Sequence, residues 1–290
     1  MRASRLRLLG LPLATLLIAA CSGTSPSPTP EPSPPADAHF RLRVTFVQAL
    51  PPSATFNVLP LIVITLDGRV LTGGAVAAIF PGPLVLPILE RQLSANGWAR
   101  VVAAARAAGL LGGVRDFTGG VLAPGSQVTR LEIVADGRVY DLSGDAGRVI
   151  QCITTPCNPE PGTPEAFASF IAGLGNIESL VGAANLGPEH IHVPVDYGVI
   201  VAGPPDDQGL AQPPVGWPLD GGFAAFGKAL ADGSGGRCGT ITGADVDLVR
   251  NAFNAATQIT KWRDPVDGLF HGLVVKPILP GDDDPCEGLV

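Results

Sequence analysis

Hydrophobic and polar positions follow two different periods along this chain, and each change of period marks an element. From Arg41 to Val47 polar and apolar residues alternate singly, the pattern of a strand with one buried face. Leu61–Leu66 is rich in β-branched residues, meets Asp67-Gly68 and resumes at Arg69–Thr72, which predicts a hairpin. A proline-rich loop runs from Phe80 to Pro87. The period then lengthens: Trp98, Val101, Val102, Ala105 and Ala108 recur at helical spacing. Ser94 is placed to cap this helix, and Gly109 or Gly112 to stop it. Thr129–Ala135 and Arg138–Leu142 flank Asp136-Gly137, a second hairpin. Thr163 and Pro164 open a second helix that carries Phe167, Phe170, Ile171 and Leu174. Further on, Val193–Val201 reads as a strand interrupted near its start by Pro194, and the stretch from Asp206 to Trp217 as a loop. Thr242, with Asp245 three residues later, reads as the cap of a third helix carrying Val246, Val249, Phe253 and Ala256. Leu269–Ile278 is the last strand.

The helices behind Ser94 and Thr242 resemble one another. Trp98, Val101, Ala105 and Ala108 fall opposite Val246, Val249, Phe253 and Ala256 at a constant offset of 148 residues. The expectation is an α+β fold of two modules, residues 40–186 and 187–290, each an antiparallel sheet with a helix on one face. The alternative is that two amphipathic helices share their period and caps for physical reasons alone.

The N-terminus changes the picture of where the chain resides. Arg2, Arg5 and Arg7 precede a short apolar run, Leu8–Ala20, too short to span a bilayer. This predicts a signal peptide over residues 1–20. Its end, Leu17-Ile18-Ala19-Ala20-Cys21, resembles the lipobox of bacterial lipoproteins. That resemblance implies cleavage before Cys21, acylation of its sulfur with palmitate-like chains, and a membrane partner reached through lipid. The expected location is the outer face of the cell membrane, or the outer membrane where the cell has one. Residues 21–39 form a linker in which prolines alternate with Ser, Thr and Glu. Such a segment buries no core and favours extended polyproline geometry, with a reach of roughly 55 Å at ~3.1 Å per residue.

Composition narrows the function classes. Charged residues make up 16% of the chain and hydrophobic residues 46%, enough for a sizeable core. The net charge is −7, and loss of the signal peptide would leave 16 basic against 26 acidic residues, or −10. There is no basic footprint for nucleic acid, and lysine occurs only at 228, 261 and 276.

The order strand, Asp-Gly, strand, Pro-Gly-Pro loop, Leu-Ser-capped helix ending in Ala-Gly-Leu, Asp-Gly hairpin is similar to uncharacterised lipoproteins of high-GC bacteria. Gly216-Trp217-Pro218-Leu219, Arg237-Cys238, Thr257–Trp262 and Pro277-Ile278-Leu279-Pro280 before Cys286 extend the likeness. It covers most of Leu61–Cys286 and implies no activity, so it supplies no catalytic residue.

Motif chemistry is sparse. The chain has no G-x-S-x-G elbow, no H-E-x-x-H, no Walker loop and no complete G-x-G-x-x-G. His190 and His192 would share one face of a strand and are weak candidates for zinc, two ligands short, with Glu189 facing away and His271 the remaining folded-region histidine. The competing reading is a solvated loop. Asp282-Asp283-Asp284 reads as an exposed acidic tail, and Trp98, Trp217 and Trp262 as buried anchors. No cofactor is expected. With Cys21 spent on lipid, Cys152, Cys157, Cys238 and Cys286 allow three pairings. Cys152 and Cys157 flank a short turn, while Cys238 precedes the third helix and Cys286 follows the last strand, so Cys152–Cys157 and Cys238–Cys286 are expected. The functional expectation is a membrane-anchored, non-catalytic binding or envelope lipoprotein. The alternatives are a secreted hydrolase or metal-dependent enzyme with a dispersed site, and an inhibitor-like module using the loop from Pro81 to Pro87.

Overall fold

The computed structural model describes residues 34–36, 38–48, 50–120, 127–147, 159–210 and 212–290. The signal peptide, Cys21, most of the linker and the expected Cys152–Cys157 pair lie outside the described residues.

The fold is α+β, with two mainly antiparallel sheets and helices packed on one face of each. The first sheet comprises β1 (Phe40–Val47), β2 (Ile62–Thr65), β3 (Arg69–Gly73), β4 (Ile88–Gln92), β5 (Asp116–Phe117), β6 (Val128–Ala135), β7 (Arg138–Gly144) and β8 (His190–Ile191). Their order is β5-β7-β6-β1-β2-β3-β4-β8, and β5–β7 is the parallel pair. A four-residue helix, α1 (Pro52–Thr55), lies between β1 and β2. Helices α2 (Ala95–Ala107), α3 (Pro164–Gly175) and α4 (Ile177–Val181) cover one face, where Leu42, Ile62, Ile64, Leu131 and Ile133 meet Trp98, Val101, Phe167 and Ile171.

Local signals explain these elements. The Ser94 hydroxyl accepts the Gly97 amide at 3.0 Å, and Thr163 accepts that of Ala166 at 3.2 Å. At the end of α2, Gly109 N–H donates to Arg106 O and Leu110 N–H to Ala105 O, with Gly109 at φ +73°. This paired closure requires a left-handed residue, and it buries Leu110 completely. The β6–β7 hairpin turns on Asp136 (φ +53°) and Gly137 (φ +73°), the geometry that matches strand twist.

The second sheet comprises β9 (Tyr197–Ala202), β10 (Val215–Gly216), β11 (Lys228–Ala229), β12 (Arg237–Ile241), β13 (Trp262–Arg263) and β14 (Phe270–Pro277), in the order β10-β13-β14-β9-β12-β11. Helix α5 (Ala244–Ala255) packs Val246, Val249 and Phe253 on it. The buried faces of α2 and α5 keep the 148-residue offset, but their surroundings differ. Three strands separate β4 from β6 in the first sheet, whereas β9 alone separates β12 from β14.

Several expectations change. Thr242 does not cap α5: Gly243 takes that position at φ +63°, with no side-chain cap bond. The strand expected from Val193 begins only at Tyr197, after Pro194 and Asp196. The division at 186/187 precedes β8, which pairs with β4 of the first sheet. The loop from Phe80 to Pro87 belongs to the long β3–β4 hairpin connection and reaches the second module, where Pro83 bridges to Thr257. Leu84 is buried in the second core, its amide donates to Ala256 O at 3.0 Å, and Gly82 O accepts from Gln258. Asp282 is not an exposed tail residue: its carboxylate meets Arg43 and Lys276 and accepts the Leu279 amide.

The C-terminal tail uses the opposite face of both sheets. Leu279 packs against Val63, Leu71 and Ile88 of the first. Cys286 and Leu289 pack with Ile200 and Cys238 of the second, joined by Phe56. Cys238 is bonded to Cys286 across 48 residues of sequence, with a Cα separation of 5.6 Å.

Candidate functional site

The expected histidine pair is found on β8 and just beyond it, at the edge of the first sheet. Strand β4 supplies what the sequence did not reveal: Glu90 lies opposite His190 in the ladder. The Nδ1 of His192 lies 2.6 Å from Glu90 Oε2, a hydrogen bond in which a protonated Nδ1 donates to the carboxylate. His190 Nε2 lies 3.6 Å from the other oxygen. Both histidines therefore reach one carboxylate from one face, and Glu189 lines a different hollow. His192 is largely buried and His190 mostly exposed. An imidazole held at Nδ1 keeps Nε2 as its basic nitrogen.

His192 also faces a groove of about 420 Å³ between the first sheet and α5. Val76, Val85, Leu86, Ile191 and Val193 form apolar walls, and Arg250 and Asn254 of α5 complete the rim. Ile191, Val193 and Val195 alternate outward, each more than half exposed, while His192, Pro194 and Asp196 turn inward. Arg250 bonds Asp247 and the Pro194 carbonyl, and its Nε is shielded from solvent without a partner among the described residues. The fully buried Tyr197 hydroxyl beside it has no hydrogen bond of good geometry among the described residues either. Burial pushes the Tyr197 pKa up, an effect the nearby Arg250 charge only partly offsets. An apolar groove with a few converging polar groups is the usual form of a small-molecule site.

Two other hollows are less suited. The one over the front of the first sheet is larger, about 590 Å³, but two carboxylates, Glu178 and Glu189, line it beside its one arginine, Arg91, which is bound to Glu178 at 2.7 Å. The hollow beside Trp217 carries Asp220 and Asp245 and no cation. Trp98 and Trp262 are buried anchors, and Trp217 is buried with one edge on that hollow.

His271 does not join the other histidines. It lies on β14, in a cluster with Asp264 and Asp267 whose ligand atoms all lie within 4.8 Å of one another. Asp264 is buried, and its carboxylate accepts the amides of Phe223 at 2.6 Å and Val266 at 2.7 Å. Burial alone would raise its pKa. The amides of Val266, Phe223 and Asp267, with His271 nearby, outweigh burial and hold it below the ordinary aspartate value. The spacing D-x-x-D-x-x-x-H is visible in the sequence and was the signal available for this cluster. Glu90 had none, being 102 residues from His192.

Among the described residues, no helix is long and apolar enough to cross a membrane. Comparison with protein-family models, curated proteins and solved structures finds nothing that matches this chain.

Proposed function

We propose that this is an exported lipoprotein, anchored through Cys21, that binds a small amphipathic anion in the groove between its two modules. The observation that carries the binding role is the groove itself: apolar walls from Val85, Ile191 and Val193, with Arg250, Asn254 and His192 at one rim. Apolar walls favour an apolar body. The guanidinium favours an acidic head, because charge-assisted hydrogen bonds are the stronger ones. The anchor rests on the sequence alone, through the lipobox-like run before Cys21 and the likeness to lipoproteins of high-GC bacteria.

The binding role is tested by calorimetric titration of 3-phenylpropionate into the purified full chain, with 3-phenylpropanol as the neutral control. Saturable binding of the acid is expected, about tenfold weaker for the alcohol and for Arg250→Ala, the loss of one charge-assisted contact. An absence of saturable binding, or binding indifferent to Arg250, overturns the assignment. The anchor is tested by Cys21→Ser, which is expected to abolish membrane partitioning or block processing. Unchanged partitioning together with an unchanged mature mass refutes it.

A second reading, a secreted hydrolase, draws on the carboxylate-held imidazole of Glu90 and His192. Hydrolysis in a broad ester and amide panel that disappears with His192→Ala selects it.

A further inference from the structure

The β13–β14 turn holds a second candidate site that shares no residue with the groove. Asp264 directly follows β13 and Asp267 lies in the turn. His271 is the second residue of β14, opposite Trp262 in the ladder. We propose that Asp264, Asp267 and His271 bind a divalent transition-metal cation, zinc being the ion to test.

The geometry carries the assignment. One ligand atom from each of the three side chains falls within 4.8 Å of the others. Tetrahedral ligands at ~2.0–2.2 Å from one zinc ion lie about 3.3–3.6 Å apart, so a pair at the 4.8 Å limit must close by roughly 1.3 Å. Asp267 is exposed, and its carboxylate accepts the Leu269 amide at 2.8 Å through one oxygen, which leaves the other for a metal. His271 supplies an independent observation: its Nε2 is shielded from solvent and unpartnered among the described residues. Its ring packs against Phe223, with centroids 4.8 Å apart, which holds it in place.

The Asp264 carboxylate has capacity left. It accepts three amide hydrogens, from Phe223, Val266 and Asp267. An ionised carboxylate offers about four acceptor positions. Neither Asp264 nor Asp267 has an ion-pair partner among the described residues. Two carboxylates this close repel, and an added cation would turn the repulsion into attraction. The mixed donor set distinguishes between ions. Calcium and magnesium prefer all-oxygen shells, whereas one imidazole with two carboxylates suits zinc or manganese. Three protein ligands would leave one tetrahedral position open, and Asp264 and Asp267 both line the hollow beside Arg263.

The test uses the purified full chain with free thiols alkylated, so that cysteines do not contribute. Zinc is titrated in competition with a chromophoric chelator, and the metal retained after dialysis is counted. One zinc per chain is expected. His271→Ala and Asp267→Asn should each weaken binding by at least about tenfold, and the double change His190→Ala with His192→Ala should not affect it. Melting temperatures in EDTA control for folding, and Asp267→Asn, at an exposed position, keeps the test decisive if His271→Ala destabilises the sheet. The proposal is overturned by any of three results: no binding at micromolar zinc, binding that survives both His271→Ala and Asp267→Asn, or binding that is lost with the His190 and His192 pair.

Discussion

In the first sheet the side chains that meet the helices are mainly aliphatic, with Leu42, Val44, Ile62, Ile64, Leu131 and Ile133 at the centre. In the second, aliphatic side chains such as Val199, Val201, Ile241, Leu273 and Val275 share the core with a cluster of rings. Trp217 alone lies against Phe223, Phe226, Phe253 and Trp262 at centroid distances from 4.7 to 6.3 Å. The backbones differ in parallel. The first sheet has two eight-residue strands and one of seven, whereas three of the six strands in the second are two residues long. A short ladder leaves long loops to be tied down by other means. Here aromatic burial and the Cys238–Cys286 bond do so, and in the first sheet continuous hydrogen bonding does. The same helix-on-sheet plan is thus reached with two different sources of stability.

Four changes probe that contrast, from the largest effect down. Trp262→Ala removes a fully buried ring that also meets Phe253 edge-on at 5.5 Å. It should cost about 3–5 kcal/mol, and near-ultraviolet circular dichroism should show the second core loosening while far-ultraviolet ellipticity from the first persists. Loss in both regions together would show that the modules unfold as one.

Cys238→Ser with Cys286→Ser opens a loop with a sequence separation of 48 residues. Chain-entropy arithmetic puts the cost at about 4 kcal/mol before strain. Hydrogen exchange should rise in β12 and the tail and stay low in β1 and β6. An equal rise in both sheets would remove the contrast.

Asp264→Asn leaves buried amide donors facing an amide nitrogen and should cost about 1–3 kcal/mol at neutral pH. Its carboxyl has a folded pKa below the unfolded value. It therefore contributes stability that is full above the ordinary aspartate range and is lost as pH falls through the folded pKa. Denaturant melts of the parent should weaken along this acid limb, and the Asn variant should show a flatter one. An unaltered limb assigns the acid sensitivity to other carboxylates.

The smallest change is the most specific. Ser94→Ala should cost about 1 kcal/mol, because its hydroxyl caps α2. Thr242→Ala, at the equivalent offset, should cost less than about 0.5 kcal/mol, because no cap bond forms there. Equal costs in urea melts would restore the equivalence of the two helix starts.

What the sequence made legible follows the range of each interaction. The turns at Asp67-Gly68 and Asp136-Gly137, the cap at Ser94 and the buried face of α2 depend on a few adjacent residues and were readable. The Cys238–Cys286 bond was readable from the elements on either side of it. Strand β4 was missed because Ile88-Leu89-Glu90-Arg91-Gln92 lacks single alternation: Leu89 and Arg91 turn to the helices, Ile88 and Glu90 to the tail side. With β4 unseen, the Glu90–His192 contact could not be foreseen, and the groove, built from three distant segments, was invisible. The acidic tail was misread because Asp282 is defined by Arg43, 239 residues away.

Strand β1 sits between β2 and β6, paired with β2 over Phe40–Val44 and with β6 over Leu42–Val47. Its first residue, Phe40, lies against Gly281, and Arg43 is held by the Gly281 carbonyl and Asp282. A force applied from the N-terminal side therefore enters a central strand lengthwise. To extract β1, both flanking ladders must slide at once, because no edge is available from which to peel them one bond at a time. In a single-molecule pulling experiment the domain should resist as a shear-loaded joint, with the tail fastened across the strand where the load enters.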